Sequence, residues 1–218
     1  MQSPGKKVVN NPDEWPRLER YVKGVLTHFK EDSRILGWDL YNEPGNGSVG
    51  DASASAEKQG RGSLPLLHAI FKWARSVKGV IQPITVGVWN FAAGYAELNA
   101  YSLENSDLIS FHNYGAPQDL AERIKALTKT GRPLLCTEYM CRGLGSTFEF
   151  CLPILAKNKV AAINWGLVAG KTQTIYPWGW NAEKGEPPVW FHDIFHANGT
   201  LLYPNEGRVF EQVLKAKK

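Results

Sequence analysis

Two glutamates stand where bond-breaking chemistry would need them. Glu43 follows the apolar run 35–41 in the stretch "ILGWDLYNEPGN", and Glu138 lies near the end of another, 133–139, in "LLCTEYM". A third run, 108–113, leads into "SFHNYG" and delivers His112 and Tyr114, while 160–167 carries "AINWGLV" and Trp165. If these runs are strands of a parallel sheet, all four tips lie on one rim, because functional groups in such folds collect at the carboxyl ends of strands. Two carboxylates brought together there could cleave a glycosidic bond. One would protonate the leaving oxygen, and the other would attack the anomeric carbon or activate a water.

The rest of the chain supplies elements to position them. Runs 35–41, 83–89, 108–113, 133–139 and 160–167 read as buried strands, and 64–77, 117–130 and 147–157 as amphipathic helices between them. A helical stretch at 13–30 precedes the first strand, and another at 205–216 closes the chain. Near-continuous apolar strands alternating with helices predict a parallel sheet covered on both faces. From residue 83 onward the strands start about 25 residues apart, which fits the unit length of a TIM (β/α)8 barrel. The interval before residue 83 is longer and holds the small, polar, glycine-rich stretch 45–63, expected to be a mobile loop. Five strands predict an incomplete barrel, its fourth to eighth units, in a single domain over residues 1–218. An open doubly wound sheet is the rival, but no glycine-rich phosphate loop follows any of these strands. Alternation along the strands places Cys136 with Glu138, Ser110 with His112 and Tyr114, and Ile163 with Trp165 on shared faces. Asp39 shares a face with Tyr41 and Glu43 and is expected to play a hydrogen-bonded structural part deeper in the barrel.

Taken together and in order, "LYNEP", "HNY", "CTEY" and "INWGL" resemble the clan of retaining β-glycosidases that includes cellulases and mannanases. The chain looks most like glycoside hydrolase family 5, over a span from about Asp13 to its end. The resemblance implies that Glu43 is the acid/base and Glu138 the nucleophile. It implies that Asn42 hydrogen-bonds the sugar 2-hydroxyl, that His112 and Tyr114 orient carboxylates and substrate, with Tyr114 near the nucleophile, and that Trp165 floors the cleavage subsite. Family members also draw an arginine from the second strand and a histidine from the third. Both would precede Met1, so the expectation is a domain without its amino-terminal part. The function implied is a retaining β-glycoside hydrolase using two glutamates, with a non-catalytic carbohydrate-binding remnant as the alternative. Glucan, mannan and xylan hydrolases share all four stretches. In "KTQTIYPWGWN", Tyr176, Trp178 and Trp180 either stack on sugar rings or pack the loop against the body.

Composition narrows the field. The chain has 218 residues, 43% hydrophobic and 21% charged, with a net charge of +4 and no basic stripe, which argues against a nucleic-acid partner. No apolar stretch reaches membrane-spanning length, and residues 1–11 hold no apolar signal core, so export would depend on a signal upstream of Met1. The three cysteines form neither a disulfide framework nor a zinc spacing, and Cys136 is expected to be a buried thiol. The segment His192-Asp193-Ile194-Phe195-His196 has the outline of a helical zinc motif. Its flanks instead suggest a short extended piece ending in a turn, so no metal and no cofactor are expected.

Overall fold

Leu66, Leu67, Ile70, Phe71 and Ala74 recur three or four residues apart, and that spacing makes residues 64–76 a helix with one apolar side. The computed structural model describes residues 4–46 and 61–215. Most of the glycine-rich stretch 45–63 lies outside the described residues. The chain divides into two compact units, Met1–Ser110 and Phe111–Lys218.

The first unit runs through α1 (Lys6–Val9), α2 (Trp15–Phe29), β1 (Trp38–Asn42), α3 (Leu64–Ser76), β2 (Ile84–Gly87) and α4 (Ala96–Asn105). Strands β1 and β2 pair in parallel, Trp38 opposite Ile84 and Asp39 opposite Thr85, with a slip in register before Asn42 meets Gly87. The α3 residues pack with Leu26 of α2, Ile84 and Val86 of β2 and Leu98 of α4 into one apolar cluster. Each such buried side chain contributes about 1.5–3 kcal/mol.

The second unit begins inside β3 (Ile109–Asn113) and continues with α5 (Pro117–Thr128), β4 (Leu134–Tyr139), α6 (Phe148–Lys157), β5 (Ala161–Ala162) and α7 (Pro204–Lys215). The sheet order is β3-β4-β5, with β4 and β5 parallel. Leu120, Ile124 and Leu127 of α5, and Phe148, Cys151, Leu152 and Leu155 of α6, form the buried sides of their helices. Arg142, just past β4, forms a two-pronged ion pair with Glu206 of α7: Nε to Oε1 and Nη2 to Oε2, both 2.7 Å. Its third nitrogen donates to the Trp190 carbonyl at 3.1 Å, and its guanidinium lies 5.2 Å from the Tyr203 ring centre.

The α/β class with parallel strands is as expected, and five strands are found among the described residues. They form a two-stranded and a three-stranded sheet, and no closed barrel is present there. Three expectations need correction. Residues 35–37 do not join β1, and Leu36 is exposed. The run 160–167 is not a buried strand: only Ala161 and Ala162 are strand, both exposed, and Ile163 and Leu167 are exposed as well. Gly166, at φ +89°, turns the backbone out of extended geometry, and the Asn164 side-chain amide donates to the Gly166 carbonyl. Helix α4 was not expected, because its buried side is Leu98, Asn99 and Ser102, two of them polar. Asn99 satisfies its amide on the Asn90 carbonyl and Ser102 its hydroxyl on the Leu98 carbonyl, so burial there leaves no apolar stripe to read.

Candidate active site

Glu43 is held by a turn that is tied down at every peptide. Its own amide donates to the Gly87 carbonyl at 3.1 Å, extending the β1–β2 ladder by one residue. Its φ of +48° is left-handed, a conformation that costs a non-glycine residue free energy and persists only where the surroundings enforce it. The enforcing contacts come from residues distant in sequence. Trp89 donates its indole N–H to the Pro44 carbonyl, Tyr95 its hydroxyl to the Gly45 carbonyl, and the Gly45 amide donates to Ser63 Oγ. Asn46 reaches back, its side-chain amide 2.6 Å from Glu43 Oε2. Burial raises the Tyr95 phenol above its ordinary value, and the Glu43 charge adds to that rise.

Beneath this turn Asp39 repairs the slipped register. Its Oδ1 accepts from the Gly87 amide at 3.1 Å and its Oδ2 from the Ser110 hydroxyl at 2.8 Å. Ser110 and Thr85 share a further hydroxyl contact at 3.2 Å. The hydrogen bonds expected of Asp39 are found, but the residue is exposed rather than deep in the fold. Asn42, on β1 beside Glu43, is exposed.

In the second unit Glu138 lies on β4 with its side chain 13% exposed. Tyr114 Oη donates to Glu138 Oε2 at 2.8 Å, and the buried His112 places Nδ1 3.4 Å from the same oxygen. The expectation that Tyr114 lies beside Glu138 is met. A donor on one carboxylate oxygen fixes the plane of the group. Cys136 is fully buried on the same strand face and donates weakly to the Glu138 carbonyl. All three cysteines are free and buried, and burial raises each thiol, that of Cys141 to about 11.

Trp178 sits edge-on to Tyr114, with ring centres 5.0 Å apart, and to Phe191 at 5.1 Å, yet stays 60% exposed. It therefore packs the loop and still presents a free face. Trp180 uses its indole N–H on the Gly185 carbonyl of its own loop. Trp165 is about half exposed just past β5.

The segment 192–196 is not helical, so the zinc-motif outline has no helix face to carry it. His192 and Asp193 are buried instead. His192 Nδ1 donates to the Met140 carbonyl at 2.9 Å, and Thr174 donates to Asp193 Oδ1 at 2.7 Å. Among the described residues neither histidine belongs to a cluster able to ligate a metal. Gly166 backs this pair. A Cβ there would meet Asp193 Oδ1 at 2.8 Å and His192 Cβ at 2.9 Å. Sequence reasoning missed His192 as a neighbour of Tyr114, and missed Met140, whose φ of +67° marks a second left-handed residue just past β4. Met140 is not a glycine, so its residue type does not announce the left-handed turn.

No protein-family model matches the chain, and no curated protein matches it in sequence. Its fold is similar to parts of solved bacterial β-glucuronidases. A Bifidobacterium dentium β-glucuronidase complexed with coumarin-3-O-glucuronide aligns at a TM-score of 0.65 and 13% identity, over 94% of this chain and 35% of that one. A Ruminococcus gnavus β-glucuronidase aligns at 0.61 and 12%, over 94% and 36%, and one from Lactobacillus rhamnosus at 0.60 and 14%, over 95% and 37%. The chain thus spans about a third of each of these chains. At such identity the likeness is one of fold.

Proposed function

We propose that the chain carries the carboxylate pair of a retaining β-glycoside hydrolase, with Glu138 as nucleophile and Glu43 as acid/base. The observation that carries the reading is the environment of Glu138, a mostly buried carboxylate near the end of a parallel strand with the Tyr114 hydroxyl on one oxygen. In the first step a Glu138 oxygen attacks the anomeric carbon. The bond to the leaving oxygen breaks, and Glu43 gives that oxygen its proton. In the second step Glu43 takes a proton from water, and the hydroxide formed displaces Glu138, restoring the original configuration. This double displacement requires the two carboxyls to be about 5–5.5 Å apart. Asn42 holds the 2-hydroxyl, His112 and Tyr114 orient Glu138, and Trp165, Trp178 and Trp180 offer faces to the sugar. Two inversions at one carbon need no metal or cofactor.

In the same reading the five strands are the fourth to eighth of a TIM barrel, the chain belongs to one glycoside hydrolase domain most like family 5, and the substrate is a β-linked glycan of the cellulose, mannan or xylan kind. The fold similarity to β-glucuronidases makes a uronic acid glycoside the competing substrate class. Hydrolysis of aryl β-glucoside, mannoside, xyloside and glucuronide, followed by proton NMR of the first sugar released, tests both points. The β anomer released first is the expected result. The α anomer released first, or no turnover of any of the four, overturns the reading.

A further inference from the structure

We infer that His192 is a positioning residue for Glu138, acting through Tyr114 and through the left-handed turn at Met140. The inference rests on the proposed role of Glu138 as nucleophile and extends the site to a residue outside the four strand-tip stretches. His192 is 1% exposed, and its Nδ1–H donates to the carbonyl of Met140, two residues beyond Glu138. That carbonyl belongs to a residue with φ +67°, a conformation methionine adopts only under constraint, and the imidazole supplies one constraint directly. The ring also lies against Tyr114, with centres 5.3 Å apart, while Trp178 packs against both rings, 5.0 Å from Tyr114 and 5.7 Å from His192. Tyr114 is therefore braced on the ring that leads to the hydroxyl donating to Glu138 Oε2.

The tautomer follows from the contacts. A carbonyl can only accept, so Nδ1 carries the hydrogen and Nε2 keeps its lone pair. Nε2 is buried with no partner, and burial lowers the affinity of the imidazole for a second proton. Leaving an acceptor bare in a packed site is costly for a group with only a space-filling role. It is consistent with a ring placed for its Nδ1 donor and its flat face.

The test compares two amide variants in the native protein. In His192→Asn the side-chain nitrogen falls near the Nδ1 position, whereas in His192→Gln it falls near Nε2. Asparagine should keep kcat within about threefold, while glutamine lowers kcat about tenfold or more with KM unchanged, as expected for a nucleophile shifted by a fraction of an ångström. In crystal structures, Tyr114 Oη should stay in hydrogen-bond range of Glu138 Oε2 in the asparagine variant and move beyond about 3.5 Å in the glutamine variant. Equal kcat in the two variants, or an unmoved Tyr114 in the glutamine variant, overturns the inference. Absence of turnover by the native protein would fail the glycosidase reading instead, and the crystallographic distances would still decide the role of His192. If the glutamine variant does not fold, the asparagine structure decides: a retained contact supports the inference, and a broken one overturns it.

Discussion

The hydroxyl of Tyr114 donates to Oε2 of Glu138 across 2.8 Å, joining β3 to β4 one residue past the end of one strand and one before the end of the other. A phenol in that place fixes the orientation of the carboxylate through one of its oxygens.

Tyr114→Phe removes this hydrogen bond and leaves the ring packing with Trp178 and His192 in place. Hydrogen bonds to charged groups contribute about 1.5–3 kcal/mol, so kcat should fall by about 10- to 100-fold with KM little changed. Steady-state kinetics on an aryl β-glycoside check this, and an unaltered kcat would remove Tyr114 from the mechanism.

Glu43→Ala and Glu138→Ala should fail differently. Without Glu43, substrates with good leaving groups such as dinitrophenol still form the covalent intermediate, and deglycosylation becomes slow. General acid–base catalysis is worth about 10²–10⁴-fold, and added azide should recover part of it as a β-glycosyl azide. Without Glu138 no intermediate forms, and azide should give the α product. Product configuration by NMR separates the two roles.

The Arg142–Glu206 pair is buried, 6% and 13% exposed at its two side chains, and each guanidinium nitrogen has a partner. Removing one charge strands the other away from water. Glu206→Gln should therefore destabilise the second unit by about 3–5 kcal/mol, measurable by urea unfolding. A loss below about 1 kcal/mol would place the pair with ordinary surface ion pairs.

Stability should fall on the alkaline side. Burial raises the thiols of Cys136, Cys141 and Cys151 in the folded chain, whereas unfolded thiols ionise near about pH 8.5. Below that pH both states keep the protons, and the stability from burying neutral thiols is fully present. Above it the unfolded chain loses protons that the folded chain retains, and stability declines as pH rises through about 11 for Cys141. A thermal midpoint flat to about pH 8 and falling beyond it is expected. Replacing Cys136 and Cys151 by alanine or serine should flatten the decline.

Much of this was legible because a strand that ends in a polar residue announces itself twice, by the apolar run and by the group at its tip. Glu43, His112, Tyr114 and Glu138 all sit at or within a residue or two of a strand end as the runs implied. The β5 region misled because "AAINWGLV" is apolar without being extended, and only the backbone reveals Gly166 at φ +89°. Helix α4 hid behind polar groups that satisfy themselves locally. The left-handed turns at Glu43 and Met140 are imposed by Trp89, Tyr95 and Ser63 in one case and involve His192 in the other, partners too remote in sequence for local pattern to show. Arg142 and Glu206 likewise meet only in the folded unit.

The most direct test of the central claim is to trap the intermediate. A 2-deoxy-2-fluoro-β-glycosyl fluoride destabilises both transition states but keeps a good leaving group, so the first displacement proceeds and the second stalls. Proteolysis and mass spectrometry of the trapped protein should place one fluorosugar on the peptide containing Thr137-Glu138-Tyr139, with the ester at Glu138. Labelling at Glu43 or elsewhere, or turnover of the parent substrate with no trapped adduct, would contradict the account.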